Sequence, residues 1–508
     1  MTDLKGRAIR GGFAKIWAQG AVFVLRLGSM MVLARLLEPR AFGLVAMVTV
    51  VTGIFDLFRD AGLSTATIQR EMIREEQVST LFWINVGVGT LLAVMTAASA
   101  PILAAFYHEP RLLWITLALA SGFIINALGV QHGALLQRRL RFTAVAAVDV
   151  LRTTASVAVG IGMALTGLGY WSLVGMSLVS PIIATVSAWI LVPWVPGRPR
   201  RGIGVRSMLK FGGTVTLDGL VTYVGYNAEK VLLGRFFGTE ALGIYGRAYQ
   251  LVNIPTQNLS SSVSGVAFSA LSRVQNDAAR FKSYFLKGYS LILMVTLPVT
   301  MACVLFADDL VSVVLGPQWT GTIPLLRLLA PTIVAFSLIN PFGWLLTAIG
   351  RVMRSLKIGL VIMPLVIGAY LIGLPYGPRG VALGYSAMMV LLTVPVIAWS
   401  KIDTPITTRD IWHAVRPPLL SGVAASAGAL GLQGLIFQAL SPLLRLILEM
   451  GAMMAIYIGM LLFVAGQKGF YVDLLRHVLK RPPAGDGTGE GREEVSAGEL
   501  DLFGQTRP

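Results

Sequence analysis

The chain has 508 residues, of which 55% are hydrophobic and 13% are charged, about half the charged fraction of an ordinary soluble domain. Its mean hydropathy of +0.72 and its long apolar runs exclude a water-soluble protein. The formal charge of +17 does not indicate a nucleic-acid partner, because the basic residues lie in short loops between apolar segments. The single cysteine, Cys303, excludes an internal disulfide and a cysteine-based metal site.

Apolar segments follow one another along the chain, and each is long enough to cross about 30 Å of hydrocarbon as a helix. They are predicted at 13–36, 41–61, 79–106, 111–135, 144–166, 169–193, 208–236, 240–268, 283–306, 322–347, 352–374, 379–400, 412–437 and 440–466. The strict alternation that a membrane β-barrel requires is absent. The predicted fold class is therefore an all-α integral membrane protein with about 14 transmembrane helices.

The loop charges predict the orientation. Arginine and lysine are concentrated in every second loop, beginning with Arg70 and Arg74 and continuing with Arg138, Arg139 and Arg141, whereas the intervening loops carry scattered single residues. Because basic loops remain on the cytoplasmic side, both termini are predicted to be cytoplasmic.

A short repeat at a distance of two hundred positions predicts an internal duplication. LARLL at 33–37 corresponds to LGRFF at 233–237, and AFGL at 41–44 corresponds to ALGI at 241–244. A repeat at this distance predicts two pseudo-symmetric six-helix lobes. The predicted division is a cytoplasmic N-terminus (1–12), an N-lobe (13–193), a basic cytoplasmic linker (194–207), a C-lobe (208–400), an appended helix pair (401–466) and a cytoplasmic, largely disordered tail (467–508).

Motifs for enzymatic chemistry are not found. The sequence has no P-loop, no G-x-S-x-G elbow and no kinase motif set, and its four histidines lie far apart. We therefore expect no enzyme, no cofactor and no metal. A membrane glycosyltransferase stays open as an alternative, because such enzymes can carry their sites in loops. Trp319 and the pair Asp308–Asp309 lie in a longer outer loop and are interpreted as an interfacial anchor and solvated acids.

Polar side chains within the duplicated spans form the candidate site, since a charge facing lipid is costly and usually faces a cavity or another helix. The substrate-binding candidates are Arg26, Arg59, Asp218, Tyr226, Lys230, Arg247, Asn253 and Gln257. By depth, their cations form a staggered column through the membrane. Asp149 and Arg152 in span five are interpreted as a local ion pair.

Three acidic residues are candidates for coupling to an ion gradient: Asp56, Asp60 and Glu229. A carboxylate in a medium of low dielectric can titrate near neutral pH. The alternative is that each pairs with a neighbouring arginine or lysine.

At this point two segments indicate a known family. LARLLEPRAFGLVAMVTVVTGIFDLFRDAGLSTATIQR, at 33–70, resembles the start of Wzx-type polysaccharide flippases of the multidrug/oligosaccharidyl-lipid/polysaccharide (MOP) exporter superfamily. The stretch at 211–275, which begins FGGTVTLDGLVTYVGYNAEKVLLGRFF, resembles the start of the second lobe of these proteins.

The resemblance implies a V-shaped, MATE-like pair of lobes in a bacterial inner membrane. It also implies export by alternating access of an oligosaccharide on polyprenyl pyrophosphate, with a polysaccharide polymerase and a chain-length regulator as further partners. Two functions of the same superfamily stay open, namely flipping of lipid II and ion-coupled export of drugs. Cationic drugs favour an acidic cavity, whereas the candidate path here holds at least as many cations as acids.

Overall fold

The computed structural model describes residues 2–59, 64, 67, 73–200, 206–436 and 440–464, and their side chains at 14–59, 64, 67, 73–200, 220, 222–256, 271–432 and 440–464. Within these ranges every regular element is a helix or a short helical turn. The helices are α1 (Thr2–Leu36), α2 (Pro39–Asp56), α3 (Glu75–Tyr107), α4 (Arg111–Arg138), α5 (Phe142–Leu165), α6 (Trp171–Leu191), α7 (Arg206–Arg273), α8 (Ala278–Leu305), α9 (Ala307–Val314), α10 (Thr322–Leu329), α11 (Pro331–Ala348), α12 (Val352–Gly373), α13 (Gly377–Ser400), α14 (Thr408–Ile436) and α15 (Pro442–Gly459).

Among the described residues, ten helical stretches are long and apolar enough to cross a membrane. One of them, Val352–Ser400, contains two predicted spans, α12 and α13, on either side of a short turn at Leu374–Tyr376. Of the remaining predicted spans, 208–236 and 240–268 lie within α7, and 412–437 coincides with α14 as far as Ile436. The predicted fold class, a multi-pass helical membrane protein, is confirmed.

Helix α7 is a hairpin of two helices broken at Gly238. This residue has φ 79° and ψ −172°, a backbone conformation that glycine adopts without steric cost. Lys230 Nζ lies 5.5 Å from the ring centre of Tyr249, whereas nineteen residues of continuous helix would span about 28 Å. We call the two arms α7a (206–237) and α7b (239–273). Their junction is the predicted boundary between spans seven and eight.

The two halves of the bundle pack in the same order. In the first half, α1 packs against α5, α2 against α4, α4 against α3 and α6, and α5 against α6. In the second half the α7 hairpin packs against α12, α10 and α11, while α11 packs against α8 and α13, and α12 packs against α13. With α7a and α7b in place of α1 and α2, this arrangement supports the predicted duplication. Helix α14 packs on α8 and α15, so the appended pair adds to the second half.

The two halves meet most closely where α2 crosses α7b. A Cβ atom added to Gly43 would collide with the carbonyl oxygen of Thr239, and one added to Gly243 would collide with that of Pro39. Both glycines and both contacted residues are related by the two-hundred-residue repeat. We call this end of the bundle, which holds the α1–α2 junction and Gly238, the closed end.

The start of the inter-lobe linker is attached to the first half. The Trp83 indole donates a hydrogen bond to the Gly197 carbonyl (2.9 Å), and Gly197 N–H donates to the Ser79 hydroxyl (3.0 Å). Buried His132 stacks on Trp189 and contacts the carbonyl of Trp194 at 3.0 Å. Residues 194–200 therefore pack with the predicted N-lobe.

Candidate functional site: a cation-lined cavity between the halves

A cavity lies between α1, α5 and the α7 hairpin. Its larger part has a volume of about 830 Å³ and a smaller part of about 360 Å³ lies toward the closed end. Arg26 lines both parts, so we treat them together as the central cavity. The larger part is lined by four basic side chains and one acidic side chain: Lys15, Arg26, Arg152, Lys230 and Asp149.

Helix α1 is more exposed away from the closed end. Along the first turns of the described part of α1, Ile16 is 69% exposed and Trp17 is 78% exposed, whereas Leu33 and Ala34 near the closed end are 3% and 0% exposed. Arg26 lies between these two regions and is solvent-exposed. Its guanidinium can therefore meet a polar group that enters the larger part of the cavity past Lys15.

Lys230 is held on the opposite wall by α7. Its ammonium donates to Asn227 Oδ1 at 2.6 Å and lies over the ring of Tyr249. Asn253, on the second arm of the hairpin (α7b), lines the same part of the cavity. The lysine charge therefore faces a polar and aromatic wall.

Arg247 lines the smaller part of the cavity with Arg26. Its guanidinium carbon lies 3.9 Å from the ring centre of Phe42 on α2, and one of its nitrogens donates to Gln250 Oε1. The structure thus brings Arg26, Lys230 and Arg247 together around one space.

Arg59 lies in a separate pocket of about 310 Å³ between α4, α5 and α6. It pairs with Asp56 at 3.1 Å, the pairing that was the alternative to an ion-coupling role for Asp56. Asp149 and Arg152, which pair at 2.9 Å, line both this pocket and the central cavity. The sequence interpretation of this pair as merely local missed its position between the two spaces. The sequence feature that could have indicated this position is the presence of two opposite charges inside one predicted span.

Glu229 is completely buried in the second half, and no side chain among the described residues donates a hydrogen bond to either of its oxygens. Lys230, its sequence neighbour, is bound to Asn227 instead. A lone buried carboxylate is costly unless it binds a proton or a cation.

The other predicted residues lie elsewhere. Tyr226 packs against Phe336, with ring centres 5.8 Å apart, and is not among the residues that line the described cavity. Asp60 and the side chains of Asp218 and Gln257 lie outside the described part of the chain.

In the outer loop, the interpretation of Trp319 is wrong, and that of the acidic pair is wrong for Asp309 but agrees with Asp308, which is exposed. Trp319 is fully buried rather than interfacial, and its indole donates to the carbonyl of Ala34 at 2.7 Å. Asp309 is not solvated, because Arg445 of α15 binds both of its carboxylate oxygens. Both contacts join segments more than a hundred residues apart, so no local sequence signal could have shown them.

Comparison with known sequences gives a family. The profile described as "Polysaccharide biosynthesis protein" matches residues 32–324. The chain is similar to the lipopolysaccharide biosynthesis protein WzxC of Escherichia coli (strain K12), with 27% identity over 401 residues, 77% of this chain and 80% of WzxC. It is also similar to the teichuronic acid biosynthesis protein TuaB of Bacillus subtilis (strain 168), with 32% identity over 301 residues, 58% of this chain and 61% of TuaB.

Solved structures share the fold. The lipid II flippase MurJ in an inward closed conformation superposes with a TM-score of 0.72 at 14% identity, covering 92% of this chain and 100% of MurJ. An inward-facing multidrug resistance transporter of the MATE family and the MOP superfamily gives a TM-score of 0.61 at 15% identity, covering 75% of this chain and 94% of that one. At such identities the likeness establishes the fold and leaves the substrate open.

Proposed function

This chain belongs to the polysaccharide biosynthesis protein family, and we propose that it is a flippase for a lipid-linked oligosaccharide. The substrate would be an oligosaccharide on polyprenyl pyrophosphate, passed from the cytoplasmic to the outer leaflet of a bacterial inner membrane. The observation that carries this proposal is the cationic cavity between the two halves. Arginine recognises phosphate with two parallel, permanently charged hydrogen bonds.

The orientation follows from the loop charges. Of the basic loops, those between α4 and α5, α11 and α12, and α13 and α14 are described, and they lie at the end of the bundle opposite the closed end. The positive-inside rule assigns that end to the cytoplasm. The closed end is then the outer end, and the cavity faces the cytoplasm. In this state the pyrophosphate group of a substrate in the inner leaflet can enter at Lys15 and reach Arg26 and Lys230, which line the same space. A polymerase and a chain-length regulator would act on the product outside.

Alternating access explains how the head group crosses. The apolar tail can stay in lipid between the lobes, while the polar head exchanges water for the basic and polar side chains of the cavity. Opening at the outer end requires the α2–α7b crossing to separate while the cytoplasmic ends approach. Residues 194–200 would move with the first half, because hydrogen bonds attach Gly197 to α3.

The charge of the cavity also ranks the alternatives. A cationic drug would meet four basic side chains and one acidic side chain in the larger part, which disfavours a multidrug antiporter. Lipid II carries the same pyrophosphate and would fit the same cations, so only its sugar and peptide distinguish it. The family, named for polysaccharide biosynthesis, favours the oligosaccharide.

Glu229 is the strongest candidate for ion coupling among the predicted acids. Asp56 is already paired with Arg59, whereas Glu229 is buried without a side-chain donor among the described residues. Binding of a proton or a sodium ion would neutralise its charge. This role is part of the proposed mechanism and has its own test below.

The decisive experiment uses a strain in which the gene for this protein is deleted. We expect a lipid-linked sugar to accumulate in the inner leaflet, and wild-type protein to restore export. Arg26→Ala should abolish export at normal membrane abundance, and Arg26→Lys should restore it only in part, because the guanidinium fork is lost. Arg111→Ala is the control, since Arg111 is an exposed residue paired with Glu109 outside the cavity.

Full export by Arg26→Ala would contradict the proposed role of the cavity. Accumulation of lipid II alone in the deletion strain would contradict the oligosaccharide and favour the peptidoglycan precursor.

A further inference from the structure

The closed end carries a contact between the halves that is separate from the glycine crossing. Gln318 and Trp319, in the loop between α9 and α10, donate hydrogen bonds to the carbonyl of Ala34, and Gln318 also donates to that of Leu37 at 3.2 Å. Arg35 donates to the carbonyl of Val313 at 2.8 Å. We call the contact of Gln318 and Trp319 with Ala34 and Leu37 the latch.

The chemistry of the latch makes it reversible. Helix α1 ends at Leu36, and the carbonyls of a final helical turn have no partner within their own helix. The latch residues supply that partner from the other half of the molecule. When the halves separate at this end, water can take their place, so release leaves no buried unsatisfied group.

A chain of ring contacts joins the latch to the cavity. Phe42 meets Trp319 edge to face with ring centres 5.4 Å apart, and the Arg247 guanidinium lies 3.9 Å from the centre of the Phe42 ring. Phe42 and Arg247 both line the smaller part of the cavity next to Arg26. The same ring therefore contacts the latch and a cation that faces the substrate space.

The guanidinium of Arg247 can interact with either of two partners. In the empty cavity the guanidinium is attracted to the face of the Phe42 ring. A phosphate group offers charge-assisted, bidentate hydrogen bonds, which are the stronger interaction. An anion that enters beside Arg26 would therefore draw Arg247 away from the ring and leave Phe42 free to move against Trp319.

We propose that Arg247, Phe42 and Trp319 form a relay through which an anion bound in the cavity releases the latch at the closed end. The identity of the anion, a polyprenyl pyrophosphate, rests on the proposed function, whereas the latch itself does not. Phe42 and Trp319 are positioning residues, because they act through Arg247 and α1. Such a relay would open the outer end only when the cavity is occupied.

The test measures the distance between the halves at the closed end by pulsed electron spin resonance, with the full chain in lipid nanodiscs. Spin labels are placed on Leu168→Cys and Tyr376→Cys in a Cys303→Ala background, because these two residues are exposed, at 48% and 79%, in loops of opposite halves. Trp319→Phe keeps a large ring and removes the indole donor. Without any ligand, we expect it to raise the outward-open population about fivefold, the effect of one lost hydrogen bond. No change would overturn the latch.

The relay is tested with farnesyl pyrophosphate as the probe and farnesol as the uncharged control. The pyrophosphate, and not the alcohol, should lengthen the distance in the parent protein. At saturating probe, Phe42→Leu should lose the shift in distance, and Phe42→Tyr should restore it. A full shift in Phe42→Leu would overturn the relay.

The outcomes separate the two proposals. If the probe fails to bind the parent while Trp319→Phe still opens it, the pyrophosphate substrate and the relay are contradicted and the latch stands. If the probe binds and export proceeds normally while Trp319→Phe leaves the distance unchanged, the latch is contradicted and the proposed function stands.

Discussion

The crossing of α2 and α7b gives a prediction about how the closed end opens. A Cβ atom at Gly243 would lie 2.8 Å from the carbonyl carbon of Pro39 and closer still to its oxygen. The neighbour is backbone, so it cannot turn aside as a side chain would. Gly243→Ala must therefore push the two helices apart by about 1 Å, and overpacking of this kind costs about 1–3 kcal/mol.

That cost falls on the closed state alone. The gain in helix propensity from glycine to alanine, about 1 kcal/mol, is shared by the closed and open states and does not shift their equilibrium. We therefore expect Gly43→Ala and Gly243→Ala each to raise the outward-open population about 5- to 150-fold. The double variant should add little, since both residues take part in one crossing.

The assay is labelling from outside, in right-side-out vesicles, with a membrane-impermeant maleimide. The reporter is Thr49→Cys in a Cys303→Ala background, because Thr49 lines the part of the cavity nearest the closed end. Gly288→Ala is the matched control, a helical glycine of α8 with nothing within 4 Å of its added Cβ. If Thr49→Cys is labelled no faster in Gly43→Ala or Gly243→Ala than in this control, the crossing does not hold the outer end closed.

Three further predictions follow from other contacts. Glu229→Gln should remove the dependence of transport on a proton or sodium gradient in proteoliposomes while the protein still folds, and a gradient response equal to that of the parent would exclude Glu229 as the coupling group. Arg445→Met should lower the thermal midpoint more than Arg111→Met, a change at an exposed arginine, because it leaves the buried carboxylate of Asp309 without its partner. Equal midpoints would show that the pair contributes nothing. Lys282 lies 2.8 Å from Asp410 and, with Thr407, lowers the pKa of that carboxyl to about 2. Because the pKa of Asp410 is lower in the folded protein, the contact stabilises the fold above the unfolded pKa of about 4. This stabilisation is lost as the pH falls toward 2. The thermal midpoint of the parent should therefore fall more steeply below about pH 4 than that of Asp410→Asn.

The sequence by itself determined that the protein is a helical membrane protein and where its helices lie along the chain. Length and hydropathy of a span are local properties, so the helices, and the boundary between spans seven and eight at 236–240, could be predicted from apolar runs. The resemblance at 33–70 and 211–275 is confirmed by a family profile that covers both stretches. The cost of a charge in lipid is also a local argument, and Arg26, Lys230 and Arg247 line the cavity between the halves.

Only the tertiary structure decided which charges and rings meet. Arg445 lies 136 positions from Asp309, and Trp319 lies 285 positions from Ala34, so no periodicity connects either pair. The position of Arg152 at the cavity depends on how α5 is rotated against α1 and α6. Glu229 could have paired with the adjacent Lys230, but Asn227 binds that lysine instead. Such choices depend on the packing of distant segments, because the bilayer requires each helix to be apolar but does not specify which neighbour it contacts.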